Sequence, residues 1–148
     1  MNVIDTAEHI FARRQVYSHH GLYVGNNHVI HFYKEHNSKF DGKIIKTSLS
    51  AFAQEDELYR VVYRKILPAS ESIQNAYGKL EESEYNLLFN NCEHFATWCK
   101  TGKSQSKQVE AVRNIMLSLI PPFQILTPIV AVKGIFDYAY IVNIERFN

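Results

Sequence analysis

Two runs of aromatic and β-branched residues flank Gly25, Asn26 and Asn27, and this pattern predicts a β-hairpin. The first run covers residues 21–24 and the second covers residues 28–33. Glycine and asparagine tolerate the positive φ angles that tight turns require, so these three residues suit the connection between two strands. We therefore expect the chain to fold around an antiparallel sheet that contains this hairpin.

The length of the hairpin loop decides whether two histidines, His19 and His31, share a face of the sheet. A two-residue turn pairs Leu22 with His31 and places the two histidines on opposite faces, because side chains alternate along a strand. A three- or five-residue loop with a bulge pairs Gly21 with His31 instead. His19 then lies on the same face as His31, at a diagonal position where the backbones of the two residues are roughly 7–8 Å apart. A catalytic role for the pair requires the odd loop, and we expect that register.

A cysteine, Cys92, stands at the predicted start of a helix. Glu93 in the first turn, Lys100 in the last turn and Gly102 at the expected end follow the order that the helix dipole favours. The unpaired N–H groups of a helix start lower the pKa of a thiol, and they can receive the oxyanion of a tetrahedral intermediate. Cys92 is therefore a candidate nucleophile. The alternative is a small buried side chain, which is what most free cysteines are.

The histidine and cysteine segments together form one specific pattern. It consists of His-x-Gly-Leu-Tyr-Val-Gly starting at His19, a second histidine twelve residues later, and Asn-Cys-Glu-His-Phe starting at Asn91. The pattern resembles the lecithin:retinol acyltransferase-like family over about residues 8–109. The sequence of the cysteine motif is most similar to that of bacterial or viral members, and the viral members are known as H-box/NC proteins.

The resemblance implies a role for each residue of the pattern. It implies Cys92 as the nucleophile, His19 as the base that activates it, and His31 as the polar residue that orients the base. His20 stands where many members have an aromatic residue, and we assign it no chemistry. The implied fold is a circularly permuted papain-like (NlpC-type) domain, in which a histidine-bearing hairpin faces a cysteine-bearing helix. Three further residues of these motifs are candidates for substrate binding: Tyr23, Asn91 and Glu93.

The expected reaction proceeds through a thioester on Cys92. His19 takes the thiol proton, the thiolate attacks an acyl ester, the alcohol leaves, and water or another acceptor resolves the thioester. A lipid ester is the acyl donor that the family suggests, whereas a peptide or amide bond suits the broader papain-like superfamily. The rival from another class is a catalytically silent adaptor that binds a protein partner or a membrane.

A zinc site is the competing chemistry, because His19, His31 and Cys92 offer three ligand types. The sequence has no His-x-His or Cys-x-x-Cys pair, which is the short spacing typical of structural zinc sites. We therefore expect no metal and no other cofactor. The remaining histidines are expected to be surface or structural groups: His9, His28, His36 and His94.

The other segments predict an α+β fold, with an antiparallel β-sheet packed against helices. Strands are predicted over residues 8–16, 43–47 and 57–66, and helices over residues 48–54, 69–80 and 104–119. Residues 1–7 are expected to be loose. We expect one domain at residues 1–112 and an apolar C-terminal extension at residues 113–148.

The extension contains eighteen residues without a charge, from Ile115 to Val132. That is the lower end of bilayer-spanning length, and three prolines in the run argue against an undisturbed spanning helix. Basic residues before the run favour attachment to a membrane interface. Packing against its own domain, or against a second copy of the chain in a homodimer, is an equal alternative.

Composition restricts the setting. The chain has 148 residues and a formal net charge of +1, so no whole-protein field recruits nucleic acid. Cys92 and Cys99 are about 10.5 Å apart along a shared helix at 1.5 Å per residue, which is too far for a disulfide. We expect Cys99 to pack in the core with Phe95. Nothing resembles a cleavable signal peptide, so we expect a reducing, cytoplasmic setting, with any membrane contact through the C-terminal segment.

Overall fold

The computed structural model describes residues 3–35, 42–63, 65–82, 92–103 and 139–144. Its strands form one antiparallel sheet in the order β4-β3-β2-β1-β5-β6. The strands are β1 (His9–Arg13), β2 (Ser18–Gly25), β3 (His28–Tyr33), β4 (Lys43–Ser48), β5 (Leu58–Tyr63) and β6 (Ala139–Ile144). The helices are α1 (Leu49–Ala53), α2 (Ala69–Gly78) and α3 (Cys92–Thr101). This arrangement confirms the α+β class and the antiparallel sheet.

A two-residue turn closes the β2–β3 hairpin. Gly25 pairs with His28, and Asn26 and Asn27 between them have φ angles of 50° and 58°. Positive φ at both central residues is the geometry of a type I′ turn, whose twist matches that of the flanking strands. The expected odd-numbered loop is therefore wrong as a description of the turn itself.

A bulge beside the turn nevertheless produces the expected register. The pairing shifts just before Gly25, whose φ is 87°, so that Leu22 lies opposite Ile30. The extra residue that the bulge inserts into β2 has the same effect as an odd-numbered loop. It moves the side chains of the preceding residues of β2 to the opposite face of the sheet. If this register continues for one more residue, Gly21 lies opposite His31. This is the pairing that a catalytic role for His19 and His31 requires.

The sheet separates two apolar clusters. Neighbouring residues of the hairpin strands contribute to opposite clusters, with Leu22 and Ile30 in the cluster under α3 and Tyr23 and Val29 in the cluster under α1. The cluster under α3 also contains Cys99 and Phe95, both fully buried, which confirms the prediction for these two residues. Burial of a side chain as large as phenylalanine contributes about 1.5–3 kcal/mol, so this contact holds α3 firmly against the sheet.

The N-terminal segment is part of the fold. The N–H of Ala7 donates to the carbonyl of Tyr23 at 2.8 Å, and Ile4 and Ala7 are buried. The expectation of a loose start is therefore wrong for residues 3–7, because this segment covers one end of the second cluster.

The C-terminal end of the described chain adds an edge strand. β6 pairs with β5 along its whole length, and Ile144 is buried in the cluster under α1. The helix predicted over residues 104–119 and the whole uncharged run fall at residues 104–138, which lie outside the described residues. In the part of the chain that the structure describes, no helix has the length and apolar character needed to cross a bilayer. The domain division at residue 112 stays a prediction.

The described part of helix α3 runs from Cys92 to Thr101. Gly102 follows its last turn with φ of 70°, and its N–H donates to the carbonyl of Trp98 at 2.7 Å. Glycine favours this left-handed C-terminal geometry because it carries no Cβ. Lys100 of the last turn is buried, and its Nζ donates to the carbonyl of Ala7 at 2.6 Å. This bond ties the end of the helix to the segment that precedes β1.

Candidate active site

Two histidine rings meet on the sheet face that α1 covers. Nε2 of His19 lies 2.9 Å from Nδ1 of His31, and the ring planes are 85° apart. The ring of Phe52 in α1 packs on both, with centroid distances of 5.0 Å and 5.2 Å. The structure therefore brings together the residues assigned from the sequence as base and orienting group.

Gly21 provides the space for this contact. A Cβ at this position would lie 2.5 Å from Cγ1 of Val29, 3.0 Å from Cε2 of Phe52 and 3.1 Å from Cβ of His31. Such distances are far inside van der Waals contact, so any side chain here would displace its neighbours. The missing side chain allows the two histidines and the phenylalanine to share one small region.

Thr47 extends the histidine pair into a line of three groups. Nε2 of His31 lies 2.9 Å from Oγ1 of Thr47, which the sequence analysis did not identify. Thr47 pairs with Val29 across β3 and β4, so it lies on the His31 face, one diagonal away. A threonine in a predicted strand gives no sign of such a role. Its contact with His31 depends on the register between β3 and β4, and the length of the loop between these strands does not determine that register.

The thiol of Cys92 contacts β2 on both sides of His19. Its Sγ accepts the backbone N–H of His20 at 3.4 Å, and its S–H donates to the carbonyl of Ser18 at 3.7 Å. The start of α3 is thereby fixed to the same three-residue segment that carries the candidate base.

The thiol bonds to an edge of β2 that β3 no longer covers. The N–H of Tyr23 donates to the carbonyl of Glu8, and the carbonyl of Tyr23 accepts the N–H of Ala7, so the backbone groups of Tyr23 point toward the β1 side of the strand. Backbone groups point alternately to the two sides of a strand, so those of Ser18 and His20 point toward β3. Among the described residues, the last pair of β2 with β3 is Leu22 with Ile30. The sulfur therefore lies where the two strands separate.

Burial determines the protonation state of the site. Burial lowers the pKa of His19 to about 4, and the charge of Arg14 acts in the same direction. Burial also lowers the pKa of His31 to about 3, with a further contribution from His19. It raises the pKa of Cys92, and the N–H of His20 opposes this only in part. The expected lowering by the helix start is therefore wrong in its net direction, since burial outweighs it. The resting site contains a thiol and two neutral imidazoles.

The substrate-binding candidates have different surroundings. Tyr23 is buried, and its hydroxyl accepts the N–H of Asn27 at 3.2 Å, so it supports the hairpin turn. Glu93 is half-buried in the first turn of α3, with Oε2 at 3.8 Å from Nε2 of His20. Asn91 lies outside the described residues. A role of these residues in substrate binding stays a prediction.

A second line of polar groups lies beside α3, and the sequence analysis did not anticipate it. Nδ1 of His20 lies 2.8 Å from Nε2 of His9, and Nδ1 of His9 lies 2.7 Å from the hydroxyl of Tyr63. Both histidines are buried, as is His94, so none of the three is a surface group. Predictions for His36 lie outside the described residues. Within the segments that the structure covers, no three His, Cys, Asp or Glu side chains are grouped to hold a metal ion.

Comparisons with known proteins agree with the motif. The family model described as lecithin retinol acyltransferase matches residues 2–105. Lecithin retinol acyltransferase of Rattus norvegicus is 30% identical over 72% of this chain and 58% of its own length. Phospholipase A and acyltransferase 1 of Rattus norvegicus is 31% identical over 64% of this chain and 66% of its own length. Phospholipase A and acyltransferase 4 of Homo sapiens is 27% identical over 66% and 70%. The alignments thus span between just over half and about two thirds of these relatives, and the chain belongs to the lecithin retinol acyltransferase family.

Proposed function

We propose that this protein is a thiol-dependent acyltransferase or hydrolase that acts on acyl esters of lipids. The observation that carries the proposal is the position of the Cys92 thiol, which bonds to backbone groups on both sides of His19. The names of the relatives, lecithin retinol acyltransferase and phospholipase A and acyltransferase 1, support this reaction class.

The hydrogen bonds of the histidine pair support Nδ1 of His19 as the atom that takes the thiol proton. Nε2 of His19 is engaged with His31, which leaves Nδ1 as the basic nitrogen. A base needs a free lone pair on that nitrogen, so the proton of neutral His19 resides on Nε2 and is donated to Nδ1 of His31. His31 then carries its own proton on Nε2 and donates it to Thr47. Each partner thereby holds the preceding group in the tautomer required for catalysis.

Two steps complete the reaction. The thiol proton moves to His19 as the sulfur of Cys92 attacks the ester carbonyl, and a carbon–sulfur bond forms. The ester carbon–oxygen bond breaks, the alcohol leaves with the proton from His19, and a thioester remains. Water, or an acceptor with an amine or hydroxyl group, then attacks the thioester with His19 as base, which restores the thiol. The N–H groups at the start of α3 are suited to stabilise both tetrahedral intermediates.

Two exposed aromatic rings beside the histidines support an apolar acyl group as substrate. The ring of Tyr17 lies 6.4 Å from that of His19, and the ring of Tyr33 lies 6.3 Å from that of His31. Both tyrosines are exposed, by 52% and 43% of their surface. Aromatic rings offer a fatty acyl chain a contact surface next to the reacting groups.

The proposal also covers the fold superfamily of the protein and its contact with a lipid surface. A helix-start cysteine that meets a histidine-bearing hairpin supports a circularly permuted papain-like (NlpC-type) fold. The uncharged run at residues 115–132 and the basic residues before it support contact with a lipid surface through residues 113–148. An interfacial position would bring the site to acyl lipids that have low solubility in water.

Turnover of a short-chain phosphatidylcholine tests the function. Release of fatty acid or lysophosphatidylcholine is followed by mass spectrometry for wild type, Cys92→Ala and Cys99→Ala. The second variant is the matched control, because Cys99 is buried in the cluster under α3 and lies about 10.5 Å from Cys92 along the helix axis, at 1.5 Å per residue. We expect turnover by wild type and Cys99→Ala, and none by Cys92→Ala.

Other results of the same experiment would indicate one of two other functions. Turnover of amide substrates but not of esters would indicate a papain-like amidase. Absence of turnover on esters and amides alike would indicate a catalytically silent adaptor. The raised pKa of Cys92 is the observation that favours the adaptor, because a buried neutral thiol is a weak nucleophile without its base.

A further inference from the structure

The side chain of Arg14 reaches from the loop after β1 to the end of helix α1. Its Nη1 donates to the carbonyl of Ala53 at 2.8 Å, and its Nη2 donates to the carbonyl of Phe52 at 2.7 Å. Nη1 also pairs with Oδ2 of Asp56, which follows the helix. The arginine side chain is only 11% exposed. One largely buried guanidinium thus binds three acceptors at the end of α1.

Arg14 supplies what α1 lacks at its own C-terminal end. The helix has five residues, and its last turn contains no basic residue. The last carbonyl groups of any helix have no partner within it, and a positive charge near them is favourable. A planar guanidinium presents several N–H donors in a fixed arrangement, which suits it to bind neighbouring carbonyl groups. The position of the end of α1 therefore depends on a residue from another element.

Phe52 connects this contact to the histidine pair. The residue is 2% exposed, and its ring centroid lies 5.0 Å from that of His19 and 5.2 Å from that of His31. The carbonyl of the same residue is one of the acceptors of Arg14. A displacement of the end of α1 would therefore move the aromatic ring that covers both imidazoles.

Arg14 also lies close to the candidate base in sequence and in charge. Its backbone N–H donates to the carbonyl of Tyr17, two residues before His19, at 2.9 Å. Its positive charge lowers the pKa of His19, although burial has the larger effect. Among the described residues, His31 from β3 and the ring of Tyr17 also face His19, and the thiol of Cys92 from α3 bonds to the backbone on both sides of it.

We propose that Arg14 is a positioning residue for the base: it holds the end of α1 so that the ring of Phe52 stays packed on His19 and His31. The proposal rests on the proposed function for the role of His19. The packed ring keeps water away from the two imidazoles and strengthens the hydrogen bond between them. This role requires the planar donors of the arginine, whereas a purely electrostatic role would require only its charge.

Titration of the His19 imidazole by NMR tests the proposal, and His19→Gln assigns the resonance. The variants are Arg14→Lys, which keeps the charge but loses the planar group of donors, Phe52→Leu, and the double variant. Arg13→Gln is the matched control, because it removes an arginine charge one residue away. Its neighbour Ala12 lies in the cluster under α1, so the side chain of Arg13 points to the opposite face of the sheet.

We expect Arg14→Lys to raise the pKa of His19 from about 4 by about 0.5–1 pH unit, because a displaced Phe52 ring exposes the imidazole to water. Phe52→Leu should raise it at least as much, and the lysine substitution should then add less than about 0.2. Arg13→Gln should leave it within about 0.2 of wild type.

Three results of this titration would overturn the proposal. An unchanged pKa in Arg14→Lys would assign the whole effect of the arginine to its charge. Fully additive effects of Arg14→Lys and Phe52→Leu would show that the arginine acts without the phenylalanine. A rise in Arg13→Gln as large as that in Arg14→Lys would show that the response is not specific to Arg14.

Melting followed by circular dichroism establishes that the variants fold. If Arg14→Lys does not fold, Asp56→Asn decides alone, because it removes one partner of the guanidinium and leaves the positive charge less compensated. The positioning role predicts a higher pKa for His19, since the end of α1 is held less firmly. A purely electrostatic role predicts an unchanged or lower pKa, and this result would overturn the proposal.

The pH profile of ester turnover links Arg14 to the reaction. In Arg14→Lys the acid limb of kcat/KM should move to higher pH together with the pKa of His19. The NMR titration requires no substrate. A wild type that turns over no ester but gives the expected titration pattern therefore contradicts the proposed function alone. An active wild type with one of the overturning titration results contradicts this proposal alone.

Discussion

Nε2 of His19 lies 2.9 Å from Nδ1 of His31, and the opposite nitrogen of His31 lies 2.9 Å from Oγ1 of Thr47. Protons along this line must all point away from the basic nitrogen of His19 if that nitrogen is to accept the thiol proton. Thr47 is the last acceptor, so its hydroxyl stabilises the arrangement of both rings.

Thr47→Val removes this acceptor while preserving the shape of the side chain. We expect kcat for phosphatidylcholine hydrolysis to fall about fivefold, the factor that corresponds to one hydrogen bond of about 1 kcal/mol, with KM unchanged. Thr47→Ser retains the hydroxyl and should restore most of the rate. A valine variant as active as wild type, or a serine variant as slow as valine, would exclude the positioning role of Thr47.

The activity should persist to unusually low pH. His19 must be neutral to act as base, and its pKa is about 4 because it is buried. The acid limb of the kcat/KM profile is therefore expected near pH 4, well below the ordinary histidine value of about 6.5. A profile that declines near pH 6.5 would contradict the protonation state assigned to the site.

The fold should lose stability as the pH falls through the same range. Unfolded histidines bind protons below about pH 6.5, whereas folded His19 and His31 remain neutral down to about pH 4 and about pH 3. The free energy of unfolding should fall by roughly 1 kcal/mol per pH unit for each histidine between these limits. Urea titrations from pH 7 to pH 4 measure this slope. A slope that survives removal of both His19 and His31 would assign it to other groups.

Gly21→Ala should destabilise the protein, because a Cβ at this position would lie 2.5 Å from Cγ1 of Val29. We expect a loss of about 1–3 kcal/mol in the free energy of unfolding, as overpacking of a core does. Gly78→Ala is the control, since a Cβ there meets nothing within 4 Å. Thermal or urea unfolding of both variants makes the comparison, and equal stabilities would show that the region around Gly21 can adjust.

Local signals in the sequence were sufficient for much of the fold. Alternating apolar residues identified β5, and the order of charges and the final glycine identified α3, because both signals arise from contacts within one element. The same was true of the hairpin, where residues 25–27 carried the turn. Its register was correct for a reason that was only partly anticipated, since a bulge beside a two-residue turn replaced the odd loop.

Long-range relationships were not accessible in this way. The contact of Thr47 with His31 depends on the β3–β4 register, and the buried pair of His9 and His20 depends on β1 lying beside β2. The pKa of Cys92 depends on how deeply the sheet buries the helix start, which no local pattern expresses. The sequence motif indicated the candidate reacting groups, while their surroundings required the folded chain.

The central claim is that the thiol of Cys92 carries the acyl group. Incubation with a short-chain phosphatidylcholine whose acyl chains are deuterated, rapid acid quenching and peptide mass spectrometry locate the labelled acyl group. We expect the label on Cys92 in wild type, slower labelling in His19→Gln by a factor of roughly 100 or more, and none in Cys92→Ala. Labelling of Cys99 or of another residue, or turnover without any labelled thiol, would contradict the account.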